Sequence, residues 1–306
     1  MQAARVGLIG LGFMGSAVGR RLIERGFPLT VFDIAEEAVA RMGELGAARA
    51  RSAREVAAAT DVVLTVLPDG PDVEAAVLGP DGVLAGAHSG TIVVECSTID
   101  PVVSDRVGRA VRSAGFRMLD AAIGRLPIHA EKGQLVFMVG AHPEDLKAVR
   151  PILEALSSEV FHCGGPTLGI TMKLINNLLA HTVMAASSEA LVLGAKAGLG
   201  SEVMLRVLTS TAADNAALHS SIPQQVLTAD YRPGFKSALA HKDMGLAQGM
   251  AARLGVPLFT MAPIRQLTSA IASQGKGDLS AAVIATVLES LAGVSLAKQP
   301  KAPGDK

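Results

Sequence analysis

Val6-Gly7-Leu8-Ile9-Gly10-Leu11-Gly12-Phe13-Met14-Gly15 is an apolar run that leads into three glycines spaced G-x-G-x-x-G. The run predicts a strand over Arg5–Ile9, and the amphipathic stretch Ser16 to Arg25 predicts a helix. A second apolar run, Leu29 to Phe32, ends at Asp33, 18 residues past Gly15. Strand, glycine turn, helix, strand and terminal acid together make the fingerprint of a dinucleotide-binding βαβ unit. Gly10 permits the tight turn, Gly12 lets backbone approach the pyrophosphate, and Gly15 lets the helix pack on the strand. The helix N-terminus offers free N–H groups to the phosphates. Phe13 and Met14 lie in the same cofactor loop. Asp33 suits the ribose hydroxyls and repels a 2′-phosphate, and Ile34 and Ala35 supply no arginine for one, so NAD is the expected cofactor.

The pattern continues outward. Further strands are predicted at Val62–Val66, Ile92–Glu95, Arg117–Ala122, Leu135–Val139 and Val160–His162, with helices such as Ala35–Leu45, Pro71–Leu78 and Pro101–Ser113 between them. That alternation predicts an α/β domain with a mostly parallel, doubly wound sheet. Leu67-Pro68-Asp69-Gly70 after the third strand is a turn at the edge where such sheets bind ligands. After Gly164-Gly165-Pro166 the character changes. Leu168 to about Lys196 reads as one helix of roughly 40 Å, and Ser201 to Leu296 reads as helices broken at Pro223, Pro233 and Pro257. The expected organisation is a Rossmann domain over 1–165, a helical substrate and dimerisation domain over 166–297, and a disordered tail over 298–306.

Composition excludes several function classes. Lys and Arg balance Asp and Glu at 28 each, and no basic cluster stands out, which argues against nucleic acid and membrane partners. Aromatics are 3%, too few for base-stacking platforms. Cys96 and Cys163 form no metal spacing, and neither do His129, His162, His181 and His219, so no metal is expected. The cysteines read as small buried hydrophobes of a reducing cytoplasm. No signal peptide is expected before the first strand, and no membrane-length apolar run is read from the sequence.

Four positions bear on chemistry. Lys173 and Asn177 share a helix face, where spacing alone favours a solvated stripe. Ser97-Thr98 follows a strand and precedes Pro101, which suits either a helix N-cap or a ligand edge. Gly124-Arg125 follows the Asp120 strand, where a guanidinium either clamps an acid group or pairs with a surface carboxylate. His241-Lys242-Asp243, after Phe235, is compatible with a solvated helix start.

Taken together, these motifs resemble the β-hydroxyacid dehydrogenase family, which includes 3-hydroxyisobutyrate dehydrogenase and tartronate semialdehyde reductase. The resemblance covers nearly the whole chain and rests on the glycine fingerprint, Ser97-Thr98-Ile-Asp-Pro101, Gly169 to Asn177, and Lys242-Asp243-Met-Gly-Leu-Ala247. It implies that Lys173 is the catalytic lysine and that Asn177 orients substrate beside it. It implies ligand contacts at Ser97 and Thr98, a residue beside the nicotinamide at Lys242, and Phe235 near the cofactor. Relatives read Pro-Val-Ser-Gly-Gly after the position of Asp120, whereas this chain reads Ala122-Ile-Gly124-Arg125-Leu126. That Gly-Arg pair resembles the sulfolactaldehyde reductase branch, which reduces a sulfonated aldehyde with NADH. Leu126-Pro127-Ile128-His129 departs from that branch. The expectation is therefore NAD-dependent reduction of a short anionic semialdehyde, or oxidation of its hydroxy acid, by a homodimer or homotetramer. A carboxylate substrate such as 3-hydroxyisobutyrate, an imine substrate, and a catalytically inactive NAD-binding protein are the alternatives. The presence of Lys173 argues against the last two.

Overall fold

The computed structural model describes residues 4–297. The chain divides into two compact units between Leu174 and Ile175, inside one long helix. In the first unit, eight strands form one sheet: β1 (Val6–Ile9), β2 (Leu29–Phe32), β3 (Ala48–Arg49), β4 (Val62–Thr65), β5 (Ile92–Glu95), β6 (Arg117–Gly124), β7 (Leu135–Gly140) and β8 (Ser157–Gly164). Their order is β3-β2-β1-β4-β5-β6-β7-β8, and every pair is parallel except β6–β7. The first six strands have the doubly wound dinucleotide order, extended here by two more. Ligands of such sheets bind outside the carboxyl ends of the strands.

Helices cover both faces, as a mostly parallel sheet with buried central strands requires. On one face lie α1 (Phe13–Glu24), α2 (Glu36–Glu44) and α8 (Pro143–Leu156), which contribute Ala17, Val18, Leu22, Met42, Val149 and Leu153 to the core. On the other lie α3 (Ala53–Ala59), α4 (Gly70–Leu78), α5 (Val83–Gly86) and α6 (Pro101–Ser113), with Val56, Val73, Val77, Val107 and Val111 packed together. A short helix, α7 (Pro127–Glu131), joins β6 to β7.

The sheet differs from the sequence reading at its margins. β3 was not foreseen, because two exposed residues carry no hydrophobic period. β6 runs on to Gly124 and β8 begins at Ser157, where Ser157, Ser158 and Glu159 lie on an exposed edge strand and mask the alternation. Cys96 is buried as expected, whereas Cys163 is only half-buried on that same edge strand.

The long helix is α9 (Leu168–Lys196). It is followed by α10 (Ser201–Leu208), α11 (Ala216–His219), α12 (Ser237–Leu254), α13 (Ala262–Ser273) and α14 (Ile284–Ala292). Ala240, Met244, Ala247, Ile264, Ile271 and Ala285 are buried in the second unit. Pro233 and Pro257 fall between helices, but Pro223 sits in the first turn of a π-helical segment, Ile222–Val226. By length and composition α9 is apolar enough to cross a membrane, with mean hydropathy 1.4, so the reading that no such run exists is corrected. The run was missed because Lys173, Asn176 and Asn177 interrupt it. Lys173 and Asn177 are themselves buried. The tail expected to be disordered, 298–306, lies outside the described residues.

Candidate active site

The glycine turn has the shape of a cradle. Gly10 has φ 95°, and a Cβ there would run into the Val66 carbonyl oxygen. A Cβ on Gly15 would strike the Gly10 carbonyl oxygen, while one on Gly12 would meet nothing within 4 Å. Tight turn, open approach and close packing thus fall on the three glycines in the order a pyrophosphate requires. Gly12 caps α1 with no side-chain acceptor, and the first turn of α1 holds no acid, which suits an anion at this N-terminus. The residues therefore fit a dinucleotide. Phe13 is 75% exposed at this turn and Met14 is half-buried beside it. Asp33, at the end of β2, accepts from Leu11 N at 2.6 Å and from Ala35 N at 2.8 Å. Those bonds fix its carboxylate at the glycine turn, and each oxygen keeps a lone pair for a further donor.

The loops after β4 and β5 are tied to each other. Buried Glu95 accepts from Thr65 Oγ1 at 2.6 Å and from Ser97 N at 2.5 Å. Ser97 Oγ accepts in turn from Leu67 N at 2.8 Å. Burial pushes the Glu95 carboxyl up to about 7; the Ser97 and Thr65 bonds oppose that rise and the charge of Asp120 adds to it. Ser97 is buried and Thr98 half-buried, and neither is the N-cap of α6. Asp100 fills that role, accepting from Val102 N at 2.9 Å, because it directly precedes Pro101 at the first helical position.

In the middle of β6, Asp120 is 3% exposed and caps the start of α9, accepting from Thr167 N at 2.6 Å and Ile170 N at 2.7 Å. A Cβ on Gly140 would press on Asp120 Oδ1 at 2.6 Å, and one on Gly169 would press on Oδ2 at 2.7 Å, so both glycines make room for this carboxylate. Burial raises Asp120 to about 6 against the pull of its backbone donors. Gly124 closes the strand, buried, and Arg125 follows it, exposed, with φ 75°. Arg125 Nη1 donates to the Gln134 carbonyl at 2.9 Å. The guanidinium is thus braced by a carbonyl and keeps donors for an acid group.

Lys173 is 8% exposed and Asn177 6%, which overturns the solvated-stripe reading. Polar groups so placed on an apolar helix are costly unless they meet polar partners. In the second unit, Asn177 Nδ2 donates to buried Asp243 Oδ2 at 2.7 Å, and Asn177 Oδ1 accepts from Asn176 Nδ2 at 3.0 Å. The amide is held from both ends. His241-Lys242-Asp243 is no solvated helix start. It lies in the second turn of α12, where Lys242 Nζ is 3.5 Å from Asp243 Oδ1 and His241 Nδ1 is 2.9 Å from Thr268 Oγ1. Phe235 stacks on His181, ring centroids 5.6 Å apart.

The first unit thus gathers Gly10, Gly12, Gly15, Asp33, Leu67, Pro68, Ser97, Thr98, Gly124 and Arg125 along the carboxyl edge of one sheet, and the second gathers Asn177, Lys242 and Asp243. Sequence reasoning missed Glu95, Asp120 and Asp243 as parts of the site. Only an acid within an apolar run signalled the first two. The first set can hold a dinucleotide and grip an acid group; the second presents an amide of fixed orientation.

Two known families match the chain, one after the other. Residues 5–165 match the NAD binding domain of 6-phosphogluconate dehydrogenase. Residues 168–288 match the NAD-binding domain of NADP-dependent 3-hydroxyisobutyrate dehydrogenase. The chain is 36% identical to the 3-sulfolactaldehyde reductase of Escherichia coli (strain K12) over 90% of this chain and 92% of that one. It is 37% identical to the NAD-dependent L-serine dehydrogenase of Pseudomonas aeruginosa over 81% of this chain and 85% of that one. The solved 3-hydroxyisobutyrate dehydrogenase of Mycobacterium tuberculosis with L-serine superposes at a TM-score of 0.88, with 30% identity, covering 94% of this chain and 99% of that one.

Proposed function

The chain belongs to the β-hydroxyacid dehydrogenase family, an NAD-dependent oxidoreductase family, and from that premise we propose that it reduces a short anionic semialdehyde, with 3-sulfolactaldehyde first in rank. The observation that carries this reading is the buried Lys173 with Asn177 one turn on, in a largely apolar helix. When bound, the nicotinamide supplies the hydride. Lys173 hydrogen-bonds the carbonyl oxygen and gives it a proton as the carbon is reduced, leaving a neutral amine; oxidation of the alcohol runs the same transfer backwards. Asn177, fixed by Asp243 and Asn176, orients the reacting group.

Gly10, Gly12, Phe13, Met14, Gly15, Asp33, Leu67, Pro68, Thr98, Phe235 and Lys242 hold the dinucleotide in this reading. Arg125, with Ser97 and backbone at Gly124, grips the acid group. The left-handed Arg125 beyond β6 favours a substrate held by charge, since no serine stands in Ala122-Ile-Gly124-Arg125. Similarity to an L-serine dehydrogenase supports carboxylate substrates as the second reading. A working homodimer or homotetramer in the cytoplasm belongs to the same proposal.

NADH oxidation against a panel of sulfonate and carboxylate semialdehydes tests it. The proposal expects the highest kcat/KM with 3-sulfolactaldehyde. A preferred carboxylate removes the sulfonate assignment, and no turnover of any anionic aldehyde removes the proposal.

A further inference from the structure

We propose that Glu95 is a positioning residue of the hydride-transfer site, holding Ser97 and Leu67 where they meet ligand. The inference rests on the reading of Ser97 and Leu67 as ligand contacts. Its basis is a closed chain of bonds. Thr65 and Glu95 are register partners on neighbouring parallel strands, β4 and β5. Each carboxylate oxygen of Glu95 has one donor, Thr65 Oγ1 at 2.6 Å and Ser97 N at 2.5 Å. The second bond spans two residues along the chain, so it curls the backbone immediately beyond β5. The curl aims Ser97 Oγ back at the β4 loop, where it accepts from Leu67 N at 2.8 Å. Thr65, Glu95 and Ser97 are all buried, so the two bonds to the Glu95 carboxylate are screened from bulk water.

The chain reaches the glycine turn as well. Val66 N donates to Ile9 O at 2.9 Å, and the Val66 carbonyl oxygen lies where a Cβ of Gly10 would fall. Displacing Leu67 therefore displaces the wall against which the glycine turn is built. Glu95 stands behind three ligand-facing loops without being placed to touch ligand itself. One side-chain donor, Thr65 Oγ1, and one backbone donor, Ser97 N, need two acceptors at fixed separation, which an apolar residue of equal volume cannot offer.

Three variants test the role. The chain has no Trp, so NADH binding is followed by the fluorescence of the nucleotide. Glu95→Met keeps the volume and removes both acceptors. The expected result is a tenfold rise in the NADH dissociation constant, about 1.4 kcal/mol. A similar rise is expected in aldehyde KM, with kcat within threefold. Glu95→Gln keeps an acceptor for Ser97 N and brings both constants back to within threefold of wild type. A Glu95→Met protein with a lower melting temperature and unchanged constants overturns the inference, because Glu95 then only fills the core. A Gln variant as impaired as Met overturns it too, since charge and not acceptor geometry would be at work. Should Glu95→Met fail to fold, Thr65→Val removes one donor and decides: a three- to tenfold rise in both constants supports the role, and no change overturns it. A wild-type protein that binds no NADH would remove the underlying ligand reading, a failure distinct from that of a silent variant.

Discussion

Glu95→Gln should make the protein more stable at pH 8 and leave its stability almost unchanged near pH 4. The wild-type carboxyl is buried in the folded state and raised from 4.5 to about 7. A folded-state value above the unfolded one means that ionisation opposes folding. The group's favourable contribution is complete below 4.5 and is lost as pH rises through about 7. At about 1.4 kcal/mol for each tenfold change, ionisation of Glu95 in place costs roughly 3 kcal/mol at pH 8. Glutamine does not titrate, retains an acceptor for Ser97 N, and can donate to Thr65 Oγ1 if that hydroxyl turns. The stability difference between variant and wild type should therefore grow by roughly 3 kcal/mol from pH 4 to pH 8. Urea denaturation of both proteins at several pH values measures it, with slopes compared so that midpoint shifts report stability. A difference independent of pH, or one that shrinks as pH rises, refutes the burial argument.

Asp120→Asn should lower kcat by about tenfold per NADH-binding site, because an amide turns one donor against Thr167 N or Ile170 N and shifts the start of the helix that carries Lys173; stopped-flow NADH oxidation with titrated sites checks this. Arg125→Ala should raise KM for a sulfonated aldehyde at least tenfold and that for an uncharged aldehyde much less, read from steady-state kinetics on both. Cofactor preference should favour NADH over NADPH, since Asp33 stands at the ribose position with Ile34 and Ala35 after it; an equal or better kcat/KM with NADPH removes the role given to Asp33.

The parts of this fold that show in the sequence are those set by local rules. Gly10, Gly12 and Gly15 have separate steric tasks that need no distant partner, and Pro101 marks the start of α6 by itself. The parts that do not show depend on partners far along the chain. Asp120 caps a helix 47 residues later, and Asp243 holds an amide 66 residues earlier. In the sequence each is only an acid near apolar residues. Ser97 looked like a helix cap because serine often is one. The bond from Leu67 N gives its hydroxyl another partner, and Asp100 takes the cap instead. β3 and the first residues of β8 pair by backbone alone, so their side chains carry no strand period.

The most direct test of the account is the turnover of Lys173→Ala at saturating NADH and anionic aldehyde, set beside its NADH dissociation constant. Loss of the proton donor predicts a fall in kcat of about 10²–10⁴-fold, with NADH binding within twofold of wild type. A variant that binds NADH and turns over at near wild-type kcat would show that the proton comes from elsewhere and would contradict the assignment of Lys173.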